Sequence, residues 1–195
     1  MAAESNLKNM ALSLFGVCLI CAAILGAVYV VTKDPIDAAA KAEAEAAIAK
    51  VLPDGGTISD ADKYEGCEYY ESVKDGAVQA YAVKSTTVGF GGPLTIMVGV
   101  LPDGTVYNTS VLSHSETPGL GAKCSDENSH FREQWKGFGP DKKLAVTKDG
   151  GDVDAITAST ITSRAYTKAV EQAINVVKAV AGNAPAEAAA ETVEE

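Results

Sequence analysis

The chain has 195 residues, 47% of them hydrophobic and 22% charged, and 26 acidic against 16 basic side chains leave a net charge of −10 at pH 7. That length suits one domain of ordinary size with an extension. The acidic balance excludes an electrostatic grip on nucleic acid or on an anionic membrane surface, so neither is an expected partner.

In chain order, residues 1–9 form a short N-terminus, and Met10 to Val31 follow without a charged side chain. At 1.5 Å per residue that run crosses a hydrocarbon core of ~30 Å, so residues 10–31 are expected to be a transmembrane helix and the protein integral to a membrane. The apolar run is longer than a signal peptide's usual core and lacks a clear small-x-small cleavage site, which favours an uncleaved anchor. Lys8 on one flank and Lys33 and Lys41 on the other leave the orientation undecided by the positive-inside rule. Cys18 and Cys21 lie inside the span. Two thiols on one helix do not complete a four-thiolate iron–sulfur or zinc site, and they read as apolar helix cysteines.

Residues 32–56 are expected to form a helical connector. Asp34 serves as its cap and Pro35 as its first residue, the Ala-rich stretch runs to Leu52, and Pro53 with Gly55-Gly56 ends it. Its apolar face is thin, with Ile36, Ile48 and Val51 among alanines, and suits packing on the domain or on another subunit.

A domain over residues 57–183 begins with β structure. Asp75-Gly76 separates strand-like residues around Val73 from Ala77 to Lys84, and Pro102-Asp103-Gly104 separates Leu94 to Val100 from Thr105 to Ser113. Leu94, Ile96, Val98 and Val100 alternate, as in a half-buried antiparallel strand. In Glu116-Thr117-Pro118-Gly119-Leu120-Gly121, proline presets the second position of a turn and glycine tolerates the positive φ of the third, which predicts a type II turn over Thr117 to Leu120. Cys67 and Cys124 form a disulfide only if the fold brings them together in an oxidising compartment. A short helix is expected over Asn128 to Lys136, with Phe131 and Trp135 available to the core or to cover a bound ring, and strands over Leu144 to Val146 and Val153 to Ile156. The fold class is α+β, an antiparallel sheet with flanking helices.

Between Asp154 and Arg164 stand the hydroxyls of Thr157, Ser159, Thr160, Thr162 and Ser163, just ahead of a helix whose apolar face is Tyr166, Val170, Ile174, Val177 and Val180. Gly182-Asn183 supplies its stop, and residues 184–195 form an acidic tail expected to be disordered. Free N–H groups at a helix start, with the Arg164 guanidinium nearby, suit a phosphate, although Ser and Thr there also serve as ordinary caps. His114 and His130 have no partners marking a catalytic base or metal site, so no catalytic or metal-binding residue is expected.

The run Asp154-Ala155-Ile156-Thr157-Ala158-Ser159-Thr160 resembles the flavinylation motif of the FMN-binding domain family, with Ala158-Ser159 in place of the usual Gly-Ala pair. Ser113 to Gly121 is similar to a loop signature of the G subunit of Rnf-type ion-translocating ferredoxin:NAD oxidoreductases and of the C subunit of sodium-pumping quinone reductases. Gly89 to Val100 with Asp103-Gly104 resembles that family's glycine-rich bend and hairpin, and chain length favours the G subunit. The resemblance implies FMN joined through its phosphate to Thr160 by a dedicated flavin transferase, with Thr157 and Ser159 as rival acceptors and Arg164 beside the phosphate. Glu116, Thr117, Gly119, Leu120 and Gly121 would then form part of the flavin pocket. It further implies electron relay between the ferredoxin and NAD sides of a membrane complex of several subunits, a cytoplasmic N-terminus and an extracytoplasmic flavin domain. The alternatives are a flavoprotein subunit of a quinone reductase or another respiratory complex, and a membrane-anchored binding module without redox function.

Overall fold

The computed structural model describes residues 7–183, so the expected acidic tail lies outside the described residues. The chain divides into two compact units between Glu43 and Ala44. Helix α1, Leu7–Val51, begins in the first and ends in the second.

In the first unit α1 exposes Leu12, Phe15, Ile20, Ile24, Leu25 and Val31, and it is long and apolar enough to cross a membrane. Pro35 lies inside this helix rather than at the start of a new one. The expectation of a separate start rested on a φ near −65°, which suits a helix interior as well as a first turn. The missing N–H costs one hydrogen bond, and the helical bonds on either side carry the chain through.

The second unit is a six-stranded antiparallel sheet in the order β1-β3-β4-β5-β6, with β2 also paired to β3. The strands are β1 Thr57–Ile58, β2 Asp62–Tyr64, β3 Cys67–Lys74, β4 Ala77–Val88, β5 Pro93–Val100 and β6 Val106–His114. Asp75 (φ 54°) and Gly76 (φ 80°) both take positive φ between Lys74 and its partner Ala77. This is the type I′ geometry that Asp-Gly favours in two-residue hairpins. The β5–β6 hairpin closes with Leu101 donating to the Thr105 carbonyl at 2.8 Å, and Gly104 (φ 88°) absorbs the reversal.

Two apolar layers sandwich the sheet. Leu94, Ile96, Val98 and Val100 pack in one core with Tyr166, Ala169, Val170, Ala173, Ile174 and Val177 of α3, Thr160–Asn183. On the opposite face Ala80, Ala82 and Met97 cluster with Ala47, Ile48, Val51 and Leu52 around the last turns of α1. The expected half-buried β5 is therefore buried on both faces, because α1 covers the side that alternation assigned to solvent. Gly99 is where they meet most closely: a Cβ there would lie 1.7 Å from the Val51 carbonyl oxygen.

The expected helix over Asn128 to Lys136 shrinks to a single turn, α2 His130–Glu133, capped by Ser129 accepting from the Arg132 N–H at 3.3 Å. Phe131 and Trp135 belong to the core, with the Trp135 ring stacked on Tyr166 at 5.6 Å and Phe131 edge-on to Tyr166 at 5.1 Å. The two late strands reduce to one parallel bridge, Val146 to Val153, because the segments between are held by local turns. Cys67 and Cys124 are free thiols. Burial pushes Cys124 up to about 11. Helix α3 continues through Asn183, the last described residue.

Candidate functional site

Three segments distant in sequence converge on one carboxylate. Glu116 follows β6 and is 5% exposed. Its Oε2 accepts the Thr162 hydroxyl at 2.7 Å, and its Oε1 accepts the Gly91 N–H at 3.3 Å. The residue is thus bonded at once to the first turn of α3 and to the bend between β4 and β5. The bend is glycine because it must approach so closely: a Cβ on Gly91 would fall 2.0 Å from the Ser115 carbonyl oxygen. A Cβ on Gly121 would meet Glu116 Oε2 at 2.5 Å and the Thr162 hydroxyl at 2.7 Å.

The turn after Glu116 has the expected form. Leu120 donates to the Thr117 carbonyl at 3.2 Å, and Gly119 adopts φ 76°, the positive value a type II turn needs at its third position. Behind it the Glu116 N–H donates to His114 Nδ1 at 3.2 Å, and His114 Nε2 lies 3.2 Å from Ser125 Oγ, which donates to the Ala122 carbonyl at 2.8 Å. An accepting Nδ1 places the hydrogen of the neutral ring on Nε2. This chain of bonds ties the loop to His114 at the end of β6 and to Ser125.

On the other side, the entry to α3 is shaped by Ala158. Ser159 donates to the Ile156 carbonyl at 3.0 Å, closing a turn in which Ala158 sits at φ 60°. Ser163 ties the turn to the helix by donating to the Ser159 carbonyl at 3.0 Å while accepting the Ile156 N–H at 2.9 Å. Thr160 then opens α3, half-buried, and its hydroxyl oxygen accepts from Lys148 Nζ at 3.3 Å.

Between these walls is a cavity of about 340 Å³, lined by Phe90, Leu120 and Ile161 on its apolar side and by Glu116, Thr117, Thr160 and Thr162 among its polar groups. Of the sequence-predicted residues, the structure brings Glu116, Thr117, Leu120, Gly121, Ser159 and Thr160 together on this cavity. Gly119 shapes the turn without lining the space, and Thr157 is exposed outside it. Arg164 does not line the cavity; it is bound through Nε and one terminal nitrogen to the two Asp149 carboxylate oxygens at 2.7 and 2.8 Å. Its hydrogen bonds hold the Asp149 carboxyl below the usual carboxylate range.

Sequence reasoning missed Phe90, Ala158, Ile161, Thr162 and Lys148 as site residues. The available signal for Phe90 was a lone aromatic among glycines, and it is 68% exposed at the rim. For Lys148 no local pattern existed, because its neighbour Thr160 stands twelve residues further along the chain.

The volume lies at the small-ligand end of the range for binding pockets. Apolar side chains suit the face of a flat ring, glycine backbone permits close approach, and a hydroxyl at a helix start beside an ammonium suits a phosphate. These residues fit the FMN group that the sequence resemblance implies.

Residues 89–175 match the FMN-binding domain family. Over 185 residues the chain is 36% identical to the G subunit of the proton-translocating ferredoxin:NAD(+) oxidoreductase complex of Clostridium ljungdahlii, covering 90% of this chain and 91% of that one. It is 33% identical to the G subunit of the ion-translocating oxidoreductase complex of Cereibacter sphaeroides, covering 86% of this chain and 81% of that one. The crystal structure of the C subunit of the Na(+)-translocating NADH-quinone reductase from Parabacteroides distasonis is 27% identical with a TM-score of 0.44, over 57% of this chain and 61% of that one.

Proposed function

The chain belongs to the G-subunit family of ion-translocating oxidoreductase complexes, and on that premise we propose that it is an electron-transfer subunit carrying FMN as a phosphoester on the Thr160 oxygen. The observation that carries this reading is the position of that hydroxyl, at the start of α3 and on the wall of the cavity. A phosphate attached there keeps the flavin tethered while its ring lies over the apolar side. The bound flavin would supply reversible electron uptake and release.

The protein's own residues hold, orient and shield the ring. Phe90, Leu120 and Ile161 offer it apolar contact, Gly121 allows close approach, and Glu116 ties its own loop to the bend and to the first turn of α3 on which these side chains stand. Electrons pass between the ferredoxin and NAD sides of the complex through neighbouring subunits, and a flavin transferase matures the chain. The ion pathway lies in those partners, since the one candidate span among the described residues carries no ionisable group suited to it between Met10 and Val31.

Peptide mass spectrometry of the protein from its native membrane is expected to find FMN on the peptide containing Thr160, and Thr160→Ala to abolish the adduct. An adduct retained in that variant would move the attachment to Thr157 or Ser159. Orientation follows from the same proposal, with residues 33–195 outside the cytoplasmic membrane and residues 1–9 inside. A membrane-impermeant thiol reagent should then label a cysteine placed within residues 185–195 in intact cells, and one placed at Ser5 only after lysis. The reverse pattern would defeat both the orientation and attachment by an extracytoplasmic transferase.

A further inference from the structure

Lys148 is unused by the reading above, and its surroundings are specific. It lies in the 3-10 turn Thr147–Asp149, and its ammonium is 3.3 Å from Thr160 Oγ1. The next residue, Asp149, grips Arg164 on the second turn of α3 with two hydrogen bonds of 2.7 and 2.8 Å. Arg164 is one helical turn beyond Thr160, so this pair ties the turn to the face of α3 from which the Thr160 hydroxyl projects. It also engages the carboxylate next to Lys148 in the chain. Among the described residues Lys148 forms no ion pair.

We propose that Lys148 is the counter-ion of the phosphate carried on Thr160, and that the Asp149–Arg164 pair is the clamp that positions it. The inference rests on the reading of Thr160 as the FMN-bearing residue. The chemistry is direct. An ammonium donates only, so it meets the unmodified hydroxyl as a donor to its oxygen. Once that oxygen is esterified, the two non-bridging oxygens of the phosphodiester share one negative charge within reach of the same ammonium, and the contact becomes a charge-assisted hydrogen bond. Helix α3 supplies the remaining N–H donors from its first turn. Arg164, the cation that the sequence placed beside the phosphate, acts one step back, through Lys148.

The test is the reactivity of the Lys148 amine, read by mass spectrometry after brief acetylation with N-hydroxysuccinimidyl acetate. The full-length protein from cells containing the transferase is compared with Thr160→Ala, and exposed Lys178 serves as the internal standard. Lys148 is expected to react roughly two- to fivefold more slowly in the flavinylated protein, the size expected of an exposed ion pair. That protection should shrink in about 1 M salt, which screens charge without removing steric cover. Asp149→Asn protein whose Thr160 peptide carries FMN by mass spectrometry should lose it. Equal rates in the two proteins, or protection indifferent to salt, would overturn the counter-ion role. Protection retained in Asp149→Asn would overturn the clamp. Absence of FMN from the Thr160 peptide of the wild-type protein would instead sink the parent reading, and the inference with it.

Discussion

At Ala158 the backbone is held at φ 60°, a value that costs a side chain with a Cβ about 1 to 2 kcal/mol. Glycine relieves that strain but adds freedom to the unfolded chain, which takes back about 0.4 to 1 kcal/mol. Ala158→Gly is therefore expected to stabilise the domain by a net of up to ~1.5 kcal/mol, seen as a higher denaturation midpoint with an unchanged slope; a lower midpoint would mean that the turn is not strained. This residue also shows what local sequence conveys. The hydroxyl run and the following helix announced a phosphate-type entrance, and Thr160 does open that helix. The sequence pointed to Arg164 and not to Lys148, because the contact that engages Arg164, with Asp149 fifteen residues before it, has no local signature.

At the scale of elements, the informative contact is the end of α1 on the sheet. The Val51 carbonyl occupies the space over Gly99 where any other residue would place its Cβ. Gly99→Ala must push the helix terminus off Met97 and Ala82, with an overpacking cost of about 1 to 3 kcal/mol. Thermal unfolding of the full-length protein in detergent should show a lower midpoint, while Gly137→Ala, on the surface with open space around it but at φ 71°, should show a smaller loss. Equal losses would mean that the helix end yields freely. The strands were legible because Asp75-Gly76 and Pro102-Asp103-Gly104 specify reversals through their own backbone preferences. Burial of β5 on both faces was not, since Met97 and Gly99 read as an outward face until α1 is laid across them. The same limit explains the lone Val146–Val153 bridge: two short β-prone runs have strand propensity, but pairing is decided by the turns around Gly150 and Gly151.

For the molecule as a whole, two buried acids contribute to the response to alkali. Burial pushes the Cys124 thiol from 9.0 up to about 11 and the Tyr166 phenol from 10.0 up to about 12. In the unfolded chain both lose protons earlier, so their contribution to stability is complete below pH 9 and drains away as pH rises through the folded values near 11 and 12. The melting temperature should fall across that window, and Cys124→Ala should flatten its lower part; a melting temperature independent of pH there would contradict the burial of both groups. Because the thiolate is the reactive form, Cys124 should also resist alkylation at neutral pH until the domain unfolds. The meeting of Gly91, Gly121 and Thr162 at Glu116 has a different kind of consequence. Residues that answer to one shared carboxylate cannot contribute independently, so the effects of substituting them in pairs should fail to sum. Selection acting on this pocket therefore confronts a single linked trait, and substitution at any one of these positions alters which changes the other three tolerate.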